Sequence, residues 1–379
     1  MKLGQVFDPR NNALNAWRLA LAAEVIFWHT FSARSHLPSS RAVLQLLLCI
    51  GVDGFFAISG FLITASWLSN PRLRDYLAAR ALRILPGFYV CLLVTAFVIA
   101  PISVAIQGGS PSKLISSGAP LEYVLKNSAV ALVKFDIGGT PRGIPNAGMW
   151  NGSLWSLIWE IMCYLVVAVI GIVGLAKYRW VSLAIFLPAT VGAAMLPPLK
   201  FPDVLNQHEG GGGDVRTALL FLVCRSAIMF AAGAFLYQWR DVIPARWWLV
   251  AVSVAIVLAA GSLPDYRVVA ALPLAYAVIV SGSLIHNKRL RLRTDLSYGA
   301  YIYAYPTQQL LAVSGLLSLP SIVFTLVVAA ATLPLAGASW FFVEKPARSL
   351  KYRFKSRSAA PLPDATGGDR STREARDTA

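Results

Sequence analysis

Charge is scarce in this chain and acid scarcer still: 14% of its 379 residues are Asp, Glu, Lys or Arg, and the basic residues outnumber the acidic by 34 to 18. With 56% apolar residues and a mean hydropathy of +0.60, the chain has too little polar surface to clothe one soluble core, which excludes an ordinary soluble domain. Four cysteines without a CxxC pair exclude a disulfide scaffold and a thiolate metal site, so Cys49, Cys91, Cys163 and Cys224 are expected to be packing thiols. Histidine is equally rare, at 4 residues, and no metal-ligand spacing is found among them. The chain shows no internal repeat, and so none of the duplication common in transporter halves.

What the chain has instead is a series of apolar segments long enough to cross about 30 Å of hydrocarbon as helices. They fall near 14–33, 43–68, 84–106, 153–175, 180–199, 217–239, 247–263, 267–285, 296–313 and 321–343. The first carries charge and no small-residue cleavage site, so it is not expected to be a cleaved signal peptide. With the N-terminus inside, 24 of the 34 Lys and Arg fall in cytoplasmic segments, 9 fall opposite, and Arg225 lies within a span. The expected fold is therefore all-α and integral to the cytoplasmic (inner) membrane, with about ten transmembrane helices and both termini cytoplasmic. Residues 1–350 form the membrane domain, and 351–379 a basic juxtamembrane segment followed by a disordered tail. The clusters "HNKRLRLR" and "KPARSLKYRFKSR" read as attracted to anionic lipid, not to nucleic acid. "EGGGGD" at 209–214 reads as a flexible external loop.

Ionisable groups inside apolar spans are costly, about 2.5 to 3.5 kcal/mol at a helix centre on insertion scales, so they face protein or a wet cavity. In "RLALAAEVIFWHTF", Arg18 and His29 lie eleven residues apart, on one helical face and roughly 16 Å apart along the axis. Glu24 points elsewhere and is the expected counter-ion of Arg225. The plainer alternatives are a snorkelling anchor for Arg18 and a neutral imidazole bonded to another helix for His29. "GVDGFFAISGFLIT" combines glycines suited to close helix packing, Gly51, Gly54 and Gly60, with polar Asp53 and Ser59. "RLRDYLAARALRILP" puts Arg80 and Arg83 at i and i+3, where two forked guanidiniums suit a phosphate-rich ligand; positive-inside anchoring is the alternative. "NGSLWSLIWEIMCYL" sets Glu160 and Tyr164 one turn apart, with Asn151 and Trp155 before them. The tryptophans of that block suit a membrane-interface belt equally well.

These blocks, with "LSYGAYIYAYP" and "WFFVEKPAR" after them, resemble the membrane acyltransferase-3 family, O-acyltransferases of bacterial polysaccharides, O-antigen and Nod factors. The resemblance runs in family order over nearly the whole chain. It implies that His29 is the catalytic histidine, Arg18 its paired arginine, and Arg80 and Arg83 the residues that meet an acyl-CoA donor, with acetyl-CoA the expected form. It places Asp53, Ser59 and Gly60 in the second motif and Glu160 in the fourth. The expected acceptor is a hydroxyl of an envelope carbohydrate or glycolipid, with Ser59, Asn151, Trp155 and Tyr164 as candidate substrate contacts. Membrane lipid is the other partner, and no cofactor is expected to stay bound. Two departures stand out: Ala304 occupies a position where many relatives have histidine, and Glu24 one where they are apolar. No fused SGNH-type hydrolase domain is expected.

The chemistry has its own logic, because a hydroxyl is a poor nucleophile at neutral pH and needs a base beside the thioester. An imidazole suits that task, and Asp53 or Glu160 is the candidate to orient it. A polar tunnel lined by the first four spans would let donor and acceptor meet. The competing reading is a multi-span lipid or glycan transporter or flippase without acyl transfer.

Overall fold

The computed structural model describes residues 1–33, 39–196, 215–292 and 294–350. The "EGGGGD" loop, His36, His208 and the 351–379 segment lie outside the described residues. Within them the chain is helical, with no strand and two isolated bridges, Lys2 with Pro244 and Ile137 with Thr140. Each of the ten apolar segments is a long helix. In chain order they are α1 Leu14–Ala33, α2 Arg41–Ser69, α3 Leu73–Ile106, α4 Gly152–Ile172 and α5 Trp180–Met195. There follow α6 Val215–Gln238, α7 Trp247–Ala260, α8 Arg267–Leu284, α9 Ser297–Val313 and α10 Ser321–Leu350.

Six of these, α2, α3, α4, α6, α8 and α10, are each long and apolar enough to cross a membrane. Helices α5 and α7 are apolar but shorter, at 16 and 14 residues. Helices α1 and α9 miss the apolarity because they carry polar and ionisable side chains, Arg18, Glu24 and His29 in α1 and the Ser, Thr, Tyr and Gln residues of the buried α9. Nearly every residue of α9 from Ser297 to Gln309 is buried, four tyrosines included. The α3 helix has 34 residues and α10 has 30. At 1.5 Å per residue these are about 51 and 45 Å long, so both overshoot the hydrocarbon and their ends project together.

The basic connections gather at one end of the bundle. The N-terminal segment bonds to the α6–α7 connection (Leu3 N–H to the Ile243 carbonyl, 2.9 Å). Gln238 reaches back to the carbonyls of Ala176 and Tyr178, and Asn15 to that of Leu292. At the other end, Arg41 and Gln45 hold the 261–266 loop through the carbonyls of Pro264, Gly261 and Leu263.

The tightest crossing is between α2 and α6. A Cβ on Gly60 would stand 1.9 Å from the Phe230 carbonyl oxygen, and one on Gly233 would stand 1.9 Å from that of Ala57. Only glycine allows this mutual approach, which is the small-residue packing that membrane helices use. Gly51 and Gly54 do the same work less severely, giving room to Glu24 and Leu21 of α1.

Candidate active site

One aspartate, Asp295 in the loop before α9, organises the basic end of the bundle. Its Oδ2 meets Arg18 of α1 at 3.4 Å, Arg83 of α3 at 3.3 Å and Arg348 of α10 at 3.3 Å, while Oδ1 accepts from the Ser297 hydroxyl at 2.6 Å. Burial alone would raise this carboxyl, but the guanidiniums of Arg83, Arg18 and Arg348 outweigh it and hold it well below the usual carboxylate range. The structure thus brings Arg18 and Arg83, read from separate motifs, onto one oxygen.

Two cavities meet at this cluster. The inner one is narrow and is lined by Arg18, Arg83, Ser59, Glu160, Ser156 and Tyr301 among others. The outer one, wider and more open, lies between the projecting ends of α3 and α10 and is lined by Arg80, Arg83, Lys345 and Arg348. Arg83 belongs to both. The inner wall includes α9 (Ser297, Tyr298 and Tyr301) as well as the first four long helices, a correction to the four-span tunnel expected from the sequence. The sequence found α9 as the 296–313 segment but did not show it to be a wall of the cavity, because hydropathy does not say which helix faces meet.

Within the inner cavity, Glu160 Oε1 accepts from the Ser59 hydroxyl at 2.9 Å and from the Tyr164 hydroxyl. Arg80 stands over the Tyr164 ring, 6.0 Å from its centroid, and its Nε has no partner. Four residues singled out by sequence therefore form one group. Ser156 and Tyr301 join hydroxyls at 2.7 Å on the facing wall.

His29 lies farther along. On α9, Ser297, Tyr301 and Tyr305 recur at every fourth residue, so one face leads from the Asp295 cluster about 12 Å along the axis to Tyr305. The His29 ring packs edge-on to Tyr305, with centroids 4.9 Å apart. The segment ending at Met149 covers this place: Tyr305 reaches Met149 Sδ at 3.1 Å, and Gln309 bonds the carbonyls of Asn146 and Met149. Among the described residues, no carboxylate bonds the His29 ring; Glu160 is engaged as above, and Asp53 sits elsewhere. Ala304 packs with Ile26, Phe324 and Val328 in an apolar cluster, so α9 presents no polar group at that position.

Asp53 belongs to a second centre. Its oxygens meet Arg225 Nε at 3.2 Å, Arg267 Nε at 2.6 Å and the Tyr266 hydroxyl at 2.5 Å, and Arg267 also pairs with Asp265 at 3.0 Å. Arg225 is thus paired with Asp53 and not with Glu24, which corrects the sequence expectation. Glu24 instead occupies the space that Gly51 leaves free, and its Oε1 is buried without a partner. Trp155 lies beneath the Arg225 guanidinium, 5.3 Å from its centroid.

Asn151 has a structural task in plain view. Pro306 lacks an N–H, so the Ile302 carbonyl four residues earlier has no helical donor. Asn151 Nδ2 supplies one at 2.8 Å and Cys91 Sγ a weaker one at 3.3 Å, while Asn151 Oδ1 caps the short turn at Ser153. Sequence reading missed Asp295, Ser156, Tyr301 and Tyr305; "LSYGAYIYAYP" contained two of them, Tyr301 and Tyr305, and the spacing of Ser297, Tyr301 and Tyr305 at every fourth residue was the available signal.

The family model described as "Acyltransferase domain" matches residues 11–341. The chain belongs to the acyltransferase-3 family. Among its relatives is the "O-acetyl transferase" of Shigella phage Sf6, 25% identical over 363 residues, which are 93% of this chain and 98% of that protein. Another is "Nodulation protein 10" of Rhizobium leguminosarum bv. viciae, 23% identical over 365 residues, 90% of this chain and 94% of the relative. No solved structure matches. The chain is therefore a member of an acyltransferase family built as an all-helical bundle with several membrane-crossing helices.

Proposed function

We propose that the chain is a membrane O-acyltransferase that takes an acyl group, acetyl in the first instance, from cytoplasmic acyl-CoA and passes it to a hydroxyl of an envelope carbohydrate or glycolipid. The observation that carries this reading is Arg83, which walls both the basic outer pocket and the inner cavity. Phosphates of the donor bind at the outer pocket, and the thioester arm passes Arg83 and Arg18 toward His29 and Tyr305. The Lys and Arg asymmetry of 24 against 9 supports the cytoplasmic side for that pocket. The O-acetyl transferase relative supports acetyl as the group moved.

In this reading the neutral His29 imidazole takes the acceptor's proton as its oxygen attacks the thioester carbonyl carbon. The carbon–sulfur bond breaks, the CoA sulfur leaves with the electron pair, and the proton passes from His29 to that sulfur. A base so placed contributes about 10² to 10⁴ in rate. Tyr305 fixes the ring plane by packing against it, a job for which no carboxylate partner is at hand.

Mass spectrometry of surface glycans and glycolipids from cells with the chain, without it, and with His29→Ala tests the proposal. The ester should appear with the intact chain only, and His29→Ala should lose at least about 100-fold of the product while staying in the membrane. Normal product from His29→Ala would remove His29 from the chemistry. Substrate movement by purified protein without acyl-CoA would replace the reaction with transport.

A further inference from the structure

In sequence, Lys345 and Arg348 look like part of a lipid-facing basic tail. The structure puts them elsewhere: α10 overshoots the membrane thickness and carries both against the end of α3, where with Arg80 and Arg83 they line the outer pocket. Among the described residues, no acidic side chain lines that pocket. Arg348 spends one nitrogen on Asp295 and keeps Nε without a partner, as does Arg80. Lys345 is in no ion pair among the described residues; its ammonium is 5.9 Å from the Phe341 ring centroid. The adjacent carboxylate, Glu344, accepts from the Ser339 hydroxyl and forms no ion pair with any of the four cations.

The charge is therefore unbalanced by construction. Arg18, Arg83 and Arg348 converge on one oxygen of Asp295, and with Arg80 and Lys345 they make five cations, more than Asp295, Glu160 and Glu344 together can balance. Like charges held this close repel unless an anion joins them, so the arrangement is suited to a ligand with several negative charges. Exposure falls inward, with side chains 28% exposed at Arg348, 20% at Arg83 and 7% at Arg18. The charged head of a ligand thus belongs at the Lys345 end and its uncharged arm at the Arg18 end.

We propose that Lys345 and Arg348 bind phosphate groups of the acyl donor together with Arg80 and Arg83, and that Asp295 is the positioning residue holding the arginines in register. This rests on acyl-CoA being the donor, as proposed above. A phosphate-bearing lipid headgroup shares the same chemistry; Arg83, which lines both this pocket and the inner cavity, favours the donor.

The test compares two acetyl thioesters on the purified full-length chain in neutral-lipid nanodiscs. Acetyl-CoA carries the nucleotide phosphates, and acetyl-pantetheine has the same arm without them. Lys345→Ala and Arg348→Ala should each weaken acetyl-CoA binding by about 10-fold or more. Both should leave acetyl-pantetheine unchanged, and Arg348→Lys should keep part of the affinity. Lys345→Ala removes no ion pair, so it guards against loss of fold in the Arg348 variants. Equal weakening of both thioesters would mean a structural role and overturn the inference. Unchanged acetyl-CoA affinity with lost binding to anionic vesicles would assign the residues to lipid. If Arg80→Ala and Arg83→Ala weaken acetyl-CoA while the α10 variants do not, this inference alone fails; if the intact chain binds no acetyl-CoA, the donor reading fails with it.

Discussion

Asp53 and Asp295 are each buried against arginines from distant parts of the chain, yet the two centres are built differently. Around Asp53 the charges balance, with Arg225 and Arg267 facing Asp53 and Asp265, and all four side chains are at most 10% exposed. Around Asp295 three arginines share one oxygen and open onto two cavities. The first is a closed clasp between α2, α6 and α8, about a turn from the closest crossing of α2 and α6. The second leaves positive charge unsatisfied where a ligand can enter. The presence of a buried Arg–Asp pair in a membrane bundle therefore does not mark a binding site; the surplus of one sign and an opening to solvent do.

The comparison is broken most sharply by sidedness. With the four native cysteines replaced, Ser69→Cys at the Asp295 end and Ser262→Cys in the loop at the Asp53 end should differ completely toward a membrane-impermeant thiol reagent in intact cells. Ser262→Cys should label and Ser69→Cys should not. The reverse would put the basic pocket outside, away from cytoplasmic acyl-CoA.

Next in size is Asp53→Asn. Removing one partner of a buried ion pair costs about 3 to 5 kcal/mol, so the variant should melt much earlier in detergent, while the folded fraction keeps its donor affinity. An unchanged melting temperature with abolished transfer would return Asp53 to the catalytic group in which the sequence motif placed it. Ser59→Ala should have the smallest effect, about 0.5 to 1.5 kcal/mol, because Glu160 keeps its bond from Tyr164. That effect should appear in turnover and not in melting temperature, since Ser59 faces the cavity.

The helices were legible because each apolar stretch is long; most ends lie within a few residues of expectation, but α3 starts at Leu73, eleven residues before the expected 84, and α10 runs to Leu350, seven past 343. The fourfold step from Ser297 to Tyr305 was visible but subordinate to hydropathy, so α9 was read as one more span and not as a wall of the cavity. Asp295 could not be read at all: its arginine partners lie 277, 212 and 53 residues away, beyond any helical period. Asp53 was read as part of a motif, but its decisive partner, Arg267, looked like a loop residue at the start of α8. Asn151 was visible as polar, whereas its task depends on Pro306 removing a donor from another helix. Helical spacing finds faces; only the tertiary fold says which faces meet.

The central claim is that donor binding and proton transfer are housed apart, at the Arg80–Arg83 end and at His29. Titrating acetyl-CoA into three purified forms, the intact chain, His29→Ala and the Arg80→Ala/Arg83→Ala double variant, tests it without knowing the acceptor. His29→Ala should bind with the affinity of the intact chain, and the double variant should bind weaker by about 3 kcal/mol or more, two charged hydrogen-bonding groups having been removed. Equal affinity in all three, or a loss confined to His29→Ala, would contradict the account.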